Sequence, residues 1–232
     1  MALDVYVGPL SRFHALNWKN IGQQAAEAAG IPYQIVRPEE DDPISPEEVE
    51  EAVRRWQLQL IAGLADQGID IPAWDEGQSL AYVTDRPGWE GMYGLIMKGQ
   101  SLADPQIVLE EQMPDIERIS EHPAVVASQS IDSPMCVLGL AELWFPGDFG
   151  QMFQLETVSG ANVVAASISD LIRLLVQICD DWGKDPASLV EERPDQPASN
   201  CRVDEAAEYG LAVFLRLAYQ AQKMSMPMIL DY

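Results

Sequence analysis

Basic residues are scarce in this sequence. Of 232 residues only 14 are lysine or arginine, against 37 aspartates and glutamates, and the formal net charge is −23. Nucleic-acid-binding surfaces concentrate lysine and arginine, and anionic membranes attract the same residues. We therefore expect neither nucleic acid nor a membrane as a partner. A basic protein surface would instead be attracted and steered by this charge.

Cysteine and histidine are equally rare. Cys136, Cys179 and Cys201 are an odd number without a close pair, which argues against a disulfide framework and a zinc knuckle. The two histidines, His14 and His122, have no other ligands at chelating spacing. We therefore expect free thiols in a reducing compartment, with no metal ion and no cofactor.

Long apolar runs are also missing. No stretch of about 20 apolar residues occurs, so no transmembrane helix is predicted. The first ten residues include Asp4 and lack the basic start and long apolar run of a signal peptide. A cytoplasmic location is the expectation.

Recognisable catalytic signatures are absent as well. The sequence contains no phosphate loop, dinucleotide fingerprint, metalloprotease helix or nucleophile elbow. Distant residues can still meet in a fold, but no local spacing assembles a nucleophile with its base. The sequence therefore favours a protein that binds over one that catalyses.

The residues that are present predict a globular α+β protein. A hydrophobic fraction of 47% over 232 residues supports one domain, residues 1–232, with a sizeable core. We expect a mixed sheet of about four to six strands packed by several amphipathic helices. Apolar and β-branched runs predict strands at Leu3–Gly8, Ile31–Val36, Val137–Phe145 and Val163–Ala166, and a terminal strand or extended tail at Met226–Leu230.

Helical periodicity and capping residues predict the helices. Ser45, Pro46 and Glu48 form a capping box before a long apolar stripe that Gly68 ends. Other helices are predicted after Asn17, as a short segment after Gly88, after Ser169, and from Asp204. Residues 37–45 are predicted to be an acidic loop, and residues 185–203 an exposed loop. A hairpin turn is predicted at Val158–Asn162.

Two regions are candidates for a partner-binding site. The first is the acidic stretch before and within the Ser45 helix, and the second is turn-rich backbone with two tryptophans, several carboxylates and one arginine. Aromatic side chains can anchor an interface, and carboxylates can steer a basic partner. The candidate residues are Glu39, Glu40, Asp41, Asp42, Glu47, Glu48, Trp74, Asp75, Glu76, Asp85, Arg86, Trp89 and Glu90.

Four blocks of sequence resemble a family of uncharacterised bacterial cytosolic proteins. They are Met1–Phe13, Thr84–Gly91 (TDRPGWEG), Leu143–Phe149 (LWFPGDF) and Met226–Tyr232 (MPMILDY). This resemblance implies a bacterial origin and one continuous domain, and it implies no catalytic residue. In size, acidity and lack of catalytic motifs the chain is also similar to bacterial immunity proteins, which neutralise a toxin inside the producing cell.

Three functions fit these observations. The leading hypothesis is an immunity-type protein that occludes the active site of a cognate toxin, such as a nuclease or an enzyme that degrades a nucleotide cofactor. The first alternative is a carboxylate-based or metal-dependent hydrolase built on Asp75, Glu76, Asp85 and Glu90. The second alternative is a scaffold or subunit of a larger assembly.

Overall fold

The computed structural model describes residues 2–32, 45–198 and 200–232. Its strands are β1 (Asp4–Val7), β2 (Val83–Asp85), β3 (Leu143–Phe145), β4 (Phe153–Glu156), β5 (Asn162–Ser167) and β6 (Met228–Asp231). Its α-helices are α1 (Leu10–His14), α2 (Ile21–Ala28), α3 (Pro46–Ala65), α4 (Gly88–Ala103), α5 (Pro123–Ser128), α6 (Cys136–Gly139), α7 (Ile168–Trp182), α8 (Pro186–Glu191) and α9 (Val203–Met224). A short 3₁₀ helix covers Ile119–Glu121.

The six strands form one mixed sheet in the order β2-β1-β6-β3-β5-β4. Neighbouring strands are antiparallel except β3 and β5, which are parallel. One connected cluster of buried apolar side chains extends from Leu3 to Leu230. The predicted α+β class, with about four to six strands and several packed helices, is confirmed.

The two ends of the chain meet in the middle of the sheet. β1 pairs with β6, and their register places Asp4 opposite Asp231 and Val7 opposite Met228. The apolar residues of both strands are buried, and Met226 and Met228 fill the core as flexible side chains do. The strands predicted at Leu3–Gly8 and Met226–Leu230 are confirmed to within two residues.

Helix starts follow local capping chemistry. Ser45 Oγ accepts a hydrogen bond from Glu48 N while Glu48 Oε2 accepts one from Ser45 N, which confirms the predicted capping box. Two other predicted caps are wrong by two or three residues. Asn20 rather than Asn17 caps α2, and Ser167 rather than Ser169 caps α7, because their side chains reach the free amides of the first turn.

Two other predictions need correction, and one strand was missed. The helix after Gly88 is long, with 16 residues, rather than short. The predicted strand Val137–Phe145 divides into α6 and the three-residue strand β3, because the chain turns between Leu140 and Glu142. Strand β2 was not predicted, since its three residues carry no local pattern and are held by pairing with β1. The turn at Val158–Asn162 joins β4 to β5 as predicted.

Helix α9 lies at the centre of the fold. Thirteen of its 22 residues are buried, which is typical of a helix covered on nearly all sides. Its closest neighbour is α4, because Gly91 and Gly94 on α4 face Gly210 and Ala206 on α9. The small residues there let the two backbones come into contact, so the glycines of α4 allow this long helix to pack against α9.

The loops are less uniform than predicted. Residues 185–203 contain α8, and Leu189 and Cys201 in this stretch are buried, so the segment is only partly an exposed loop. The predicted acidic loop at 37–45 lies outside the described residues except for Ser45. The predicted strand Ile31–Val36 also lies mostly outside them, and Ile31 and Pro32 form no strand.

The cysteines are free thiols. Cys179 and Cys201 are buried, and Cys136 is partly exposed. Burial raises the pKa of each thiol, so the unreactive protonated form is favoured. No helix within the described part of the chain combines the length and apolar character needed to cross a membrane.

Candidate functional site

The candidate residues lie in two separate places at opposite ends of β1. Glu76 contacts the backbone of Leu10 and Ser11, just beyond the C-terminal end of β1. Asp85 lies opposite Val5, near the N-terminal end of that strand. The loop around Trp74 and the loop around Trp89 therefore do not form one site. Glu39, Glu40, Asp41 and Asp42 lie outside the described residues.

Trp74 is part of the core rather than an exposed anchor. Its ring is 5% exposed and stacks on Phe145 with ring centroids 5.0 Å apart. The indole nitrogen donates a hydrogen bond to Glu76 Oε1 at 2.6 Å. Because its ring is packed in the core and its indole nitrogen is hydrogen-bonded there, Trp74 supports the loop and is not exposed for contact with a partner.

Glu76 caps a helix from a distance. Its carboxylate accepts hydrogen bonds from Leu10 N at 3.1 Å and Ser11 N at 2.8 Å, the first amides of α1. The residue before α1 is Pro9, whose side chain makes no cap hydrogen bond, so Glu76 replaces the missing cap. Burial raises the pKa of Glu76 even though these donors favour the charged form.

An open groove brings the predicted acids of α3 beside the Trp74 loop. It has a volume of about 480 Å³, and its lining residues include Glu47, Glu50, Arg54, Asp75, Glu76 and Gln78. Glu50 pairs with Arg54 and accepts from Gln78 N at 3.3 Å. Within the described residues, the exposed carboxylates of Glu47 and Asp75 make no hydrogen bond or ion pair.

Glu48 lies outside the lining of this groove. Its hydrogen bonds with the backbone and hydroxyl of Ser45 hold the pKa of the Glu48 carboxyl below its usual value. Its side chain is therefore ionised at neutral pH and adds negative charge beside the groove, while it also caps the helix.

Asp85 and Arg86 are not partners of each other through their side chains. Asp85 Oδ2 accepts from Arg193 Nη1 at 2.9 Å and also from Arg216 Nη2. Arg86 donates two hydrogen bonds to Asp4, at 3.0 and 2.8 Å. Each of the two buried carboxylates, Asp4 and Asp85, is therefore held by a guanidinium group from a distant part of the chain.

Tyr209 connects the two ion-paired groups. Its hydroxyl donates to the carbonyl oxygen of Arg86 at 2.8 Å and accepts from Arg193 Nη2 at 2.5 Å. No local pattern predicts the roles of Arg193, Arg216 or Tyr209, since their partners lie far away in the chain. All three tie α9 and the segment after α8 to the edge of the sheet.

Trp89 and Glu90 lie in the first turn of α4 and are half-buried. Trp89 stacks on Tyr93 with centroids 5.7 Å apart and meets Tyr232 edge-on at 5.5 Å. The Tyr232 hydroxyl donates to Glu142, which raises the pKa of Tyr232 to about 12. The three rings of Trp89, Tyr93 and Tyr232 therefore pack together just after the last residue of β6.

The remaining polar candidates have structural contacts. Asp148 forms two hydrogen bonds with Arg173, which hold the pKa of the Asp148 carboxyl below its usual value. His122 Nδ1 accepts from Ala124 N at 3.2 Å and caps α5. Among the described residues, no group of three or more histidines, cysteines, aspartates or glutamates could hold a metal ion.

Comparison with known proteins adds no assignment. No protein-family model, no curated protein sequence and no solved structure matches the chain. The resemblance to a bacterial family seen in four sequence blocks therefore stays a prediction, and so does the function that accompanies it.

Proposed function

We propose that this protein is an immunity-type inhibitor whose acidic groove binds a basic surface of a cognate toxin. The single observation that carries the proposal is that an open groove is lined by two exposed carboxylates, Glu47 and Asp75, neither of which pairs with another described residue. A toxin that acts on nucleic acid or on a nucleotide cofactor has cations where it holds phosphates. Carboxylates in a groove can occupy those positions in place of the phosphates.

The groove is built on rigid supports. Glu47 is in the first turn of α3, which is fixed by the Ser45 capping box. Asp75 lies between Trp74, which stacks in the core, and Glu76, whose backbone oxygen accepts a hydrogen bond from Arg54. Carboxylates held on rigid backbone lose little conformational freedom on binding, so more of the electrostatic attraction appears as affinity.

The buried carboxylates support binding over catalysis. Glu76 is occupied by three N–H donors, and Asp85 is occupied by two arginines and a backbone amide. Proton transfer by either group would break contacts that hold α1 or α9 in place. Among the carboxylates of the candidate residues, the exposed ones, such as Glu47 and Asp75, are left to interact with another molecule.

The charge of the whole chain strengthens this argument. A net charge of −23 attracts a basic partner over a distance and increases the rate of encounter at low salt. Ions screen such attraction beyond about 8 Å at physiological ionic strength. The proposed complex should therefore form faster and more tightly at low salt than at high salt.

The test uses the product of the adjacent gene as the candidate toxin. Co-expression should relieve its toxicity, and calorimetry should show a complex that weakens as salt rises from about 0.05 to 0.5 M. The double variant Glu47→Lys with Asp75→Lys should weaken binding on the order of tenfold or more. A protein that neither binds this product nor relieves its toxicity contradicts the proposal.

A matched control distinguishes the effect of the groove residues on binding from the effect of net charge. The double variant Glu117→Lys with Glu121→Lys makes the same change in net charge at two exposed positions outside the groove. If both double variants weaken binding equally, overall charge rather than the groove is responsible. Thermal unfolding of each variant shows whether the fold is intact.

A further inference from the structure

A second cavity has the opposite electrostatic character. It has a volume of about 270 Å³, lies between the α1–α2 connection and the residue before β2, and is lined by Arg12, Leu16, Trp18, Lys19, Gln23 and Tyr82, among others. An adjoining cavity of about 260 Å³ shares Lys19 and Gln23 with it and is also lined by Glu27 and Ile31, so the cationic side chains are concentrated in the first cavity. Together the two have the size of a small-ligand pocket, which is roughly 300–1,000 Å³.

Arg12 is held in place without losing its charge. Its Nε donates to Asn17 O at 2.5 Å and its Nη1 donates to Leu80 O at 2.6 Å. The guanidinium lies 4.3 Å from the centre of the Tyr82 ring. Carbonyl oxygens and an aromatic face fix the position of the guanidinium, but none of them neutralises it.

Every other arginine in the described part of the chain has a carboxylate partner, which Arg12 lacks there. Each of the others lies within 4.0 Å of a carboxylate, as Arg86 does with Asp4 and Arg173 with Asp148. Arg12 forms no such pair with any residue that the structure describes, although acids outnumber bases 37 to 14 in the sequence. Its Nη2 donates no hydrogen bond to the described residues, so it is available for an added acceptor.

Lys19 provides a second cation at the rim. Its ammonium pairs with Glu27 at 2.7 Å, and both side chains are more than half exposed. An exposed pair of this kind contributes little to stability and exchanges readily with solvent. Lys19 can therefore turn toward an anion held by Arg12 with little loss.

The apolar part of the wall is provided by Trp18 and Leu16. Trp18 is half-buried and stacks on Phe13 at 5.7 Å. Leu16 has a left-handed backbone with φ of 55°, and its side chain is 42% exposed. A branched residue pays free energy to adopt this conformation, and such strain concentrates at ligand sites.

We propose that this cavity binds a small molecule that has both an anionic group and a flat ring, as a mononucleotide does. Arg12 and Lys19 would hold the anion, and the ring would pack against Trp18 and Leu16. Because Arg12 is already fixed, it loses little side-chain entropy on binding. The acidic side chains elsewhere on the surface repel an anionic ligand, but dissolved ions screen this repulsion beyond about 8 Å at physiological ionic strength.

The test is calorimetric titration of the full chain with AMP, adenosine and inorganic phosphate. We expect AMP to bind with a dissociation constant on the order of 10–100 μM. Adenosine lacks the charge and phosphate lacks the ring, so each should bind at least tenfold more weakly. Phosphate that binds as tightly as AMP overturns the role of the ring, and AMP that gives no heat up to about 1 mM overturns the site.

Variants locate the binding. Arg12→Met should weaken AMP binding at least tenfold, and Lys19→Gln should weaken it severalfold. Lys223→Gln, which removes one exposed positive charge outside the cavity, should leave it unchanged. Because Arg12→Met also removes two hydrogen bonds, Lys19→Gln tests the site without disturbing the fold. AMP binding that neither variant changes contradicts the proposal.

Discussion

A single methyl group on Gly210 is expected to force apart the two helices at the centre of the fold. A Cβ atom added at Gly210 would lie 2.0 Å from the carbonyl oxygen of Gly91 on α4. Ordinary contacts of carbon begin at about 3.5 Å, so the backbones of α4 and α9 would have to separate by about 1.5 Å. Neither atom belongs to a side chain that could rotate away.

Two opposing effects determine how much Gly210→Ala changes the free energy of unfolding. Overpacking of a well-filled core costs about 1–3 kcal/mol, and the upper end applies here because the contact is between backbones. Alanine is a better helix former than glycine by about 1 kcal/mol, which offsets part of that cost. Gly210→Ala should therefore lower the free energy of unfolding by about 2 kcal/mol and the melting temperature by about 4–8 °C.

Gly63→Ala is the matched control. Gly63 is also inside a helix, α3, but a Cβ added there would meet nothing within 4 Å. Only the gain in helix propensity remains, so this variant should raise stability by about 1 kcal/mol.

The assay is urea and thermal unfolding of both variants, followed by circular dichroism. The two substitutions are chemically identical, so their opposite signs isolate the effect of the contact between α4 and α9. If Gly210→Ala raises the melting temperature as Gly63→Ala does, the two helices do not approach each other as described.

Three further predictions concern other parts of the molecule. Asp85→Asn should lower the free energy of unfolding, measured in urea, by about 3 kcal/mol, because it leaves two arginines without their charged, buried partner. Asp148→Asn, which breaks an exposed ion pair, should have a smaller effect, and equal losses in the two variants would contradict a larger contribution from the buried carboxylate. Ser225 has a left-handed backbone with φ of 53° at the end of α9, so Ser225→Gly should raise stability by about 1 kcal/mol, and a melting temperature that falls would refute this. Burial lowers the pKa of His14 to about 4, so the unfolded chain takes up a proton on this residue first as pH falls below about 6.5. The free energy of unfolding should therefore decrease by about 2 kcal/mol between pH 7 and pH 5. His14→Phe should lack that part of the pH dependence in urea titrations, and an unchanged pH profile would show that His14 is not the group responsible.

The structural features that the sequence predicted well are those controlled by neighbouring residues. The capping box needs only Ser45 and Glu48, three positions apart, and α3 starts there as predicted. The turn at Val158–Asn162 likewise depends on a short segment, where Gly160 adopts a φ of 81°. Apolar periodicity over many residues predicted α9 for the same reason, because the pattern lies within the helix itself.

The candidate site shows where such local information ends. The acidic residues of the groove could be predicted, since charge and loop composition are local properties. That Trp74 is buried could not, because its burial depends on Phe145, which is far away in the chain. The cationic cavity at Arg12 was not predicted either, since one of its fixing contacts comes from Leu80, 68 residues later.

The amino-acid sequence by itself determined the α+β class, the surplus of negative charge and the starts of α3 and α9, because each of these depends on composition or on residues a few positions apart. Only the tertiary structure decided which charges are paired. Asp85 is 108 residues from Arg193 and 131 from Arg216, and Glu76 caps a helix 65 residues away. Ion pairs and caps of this range depend on where packing brings distant segments together, and no short-range pattern records that.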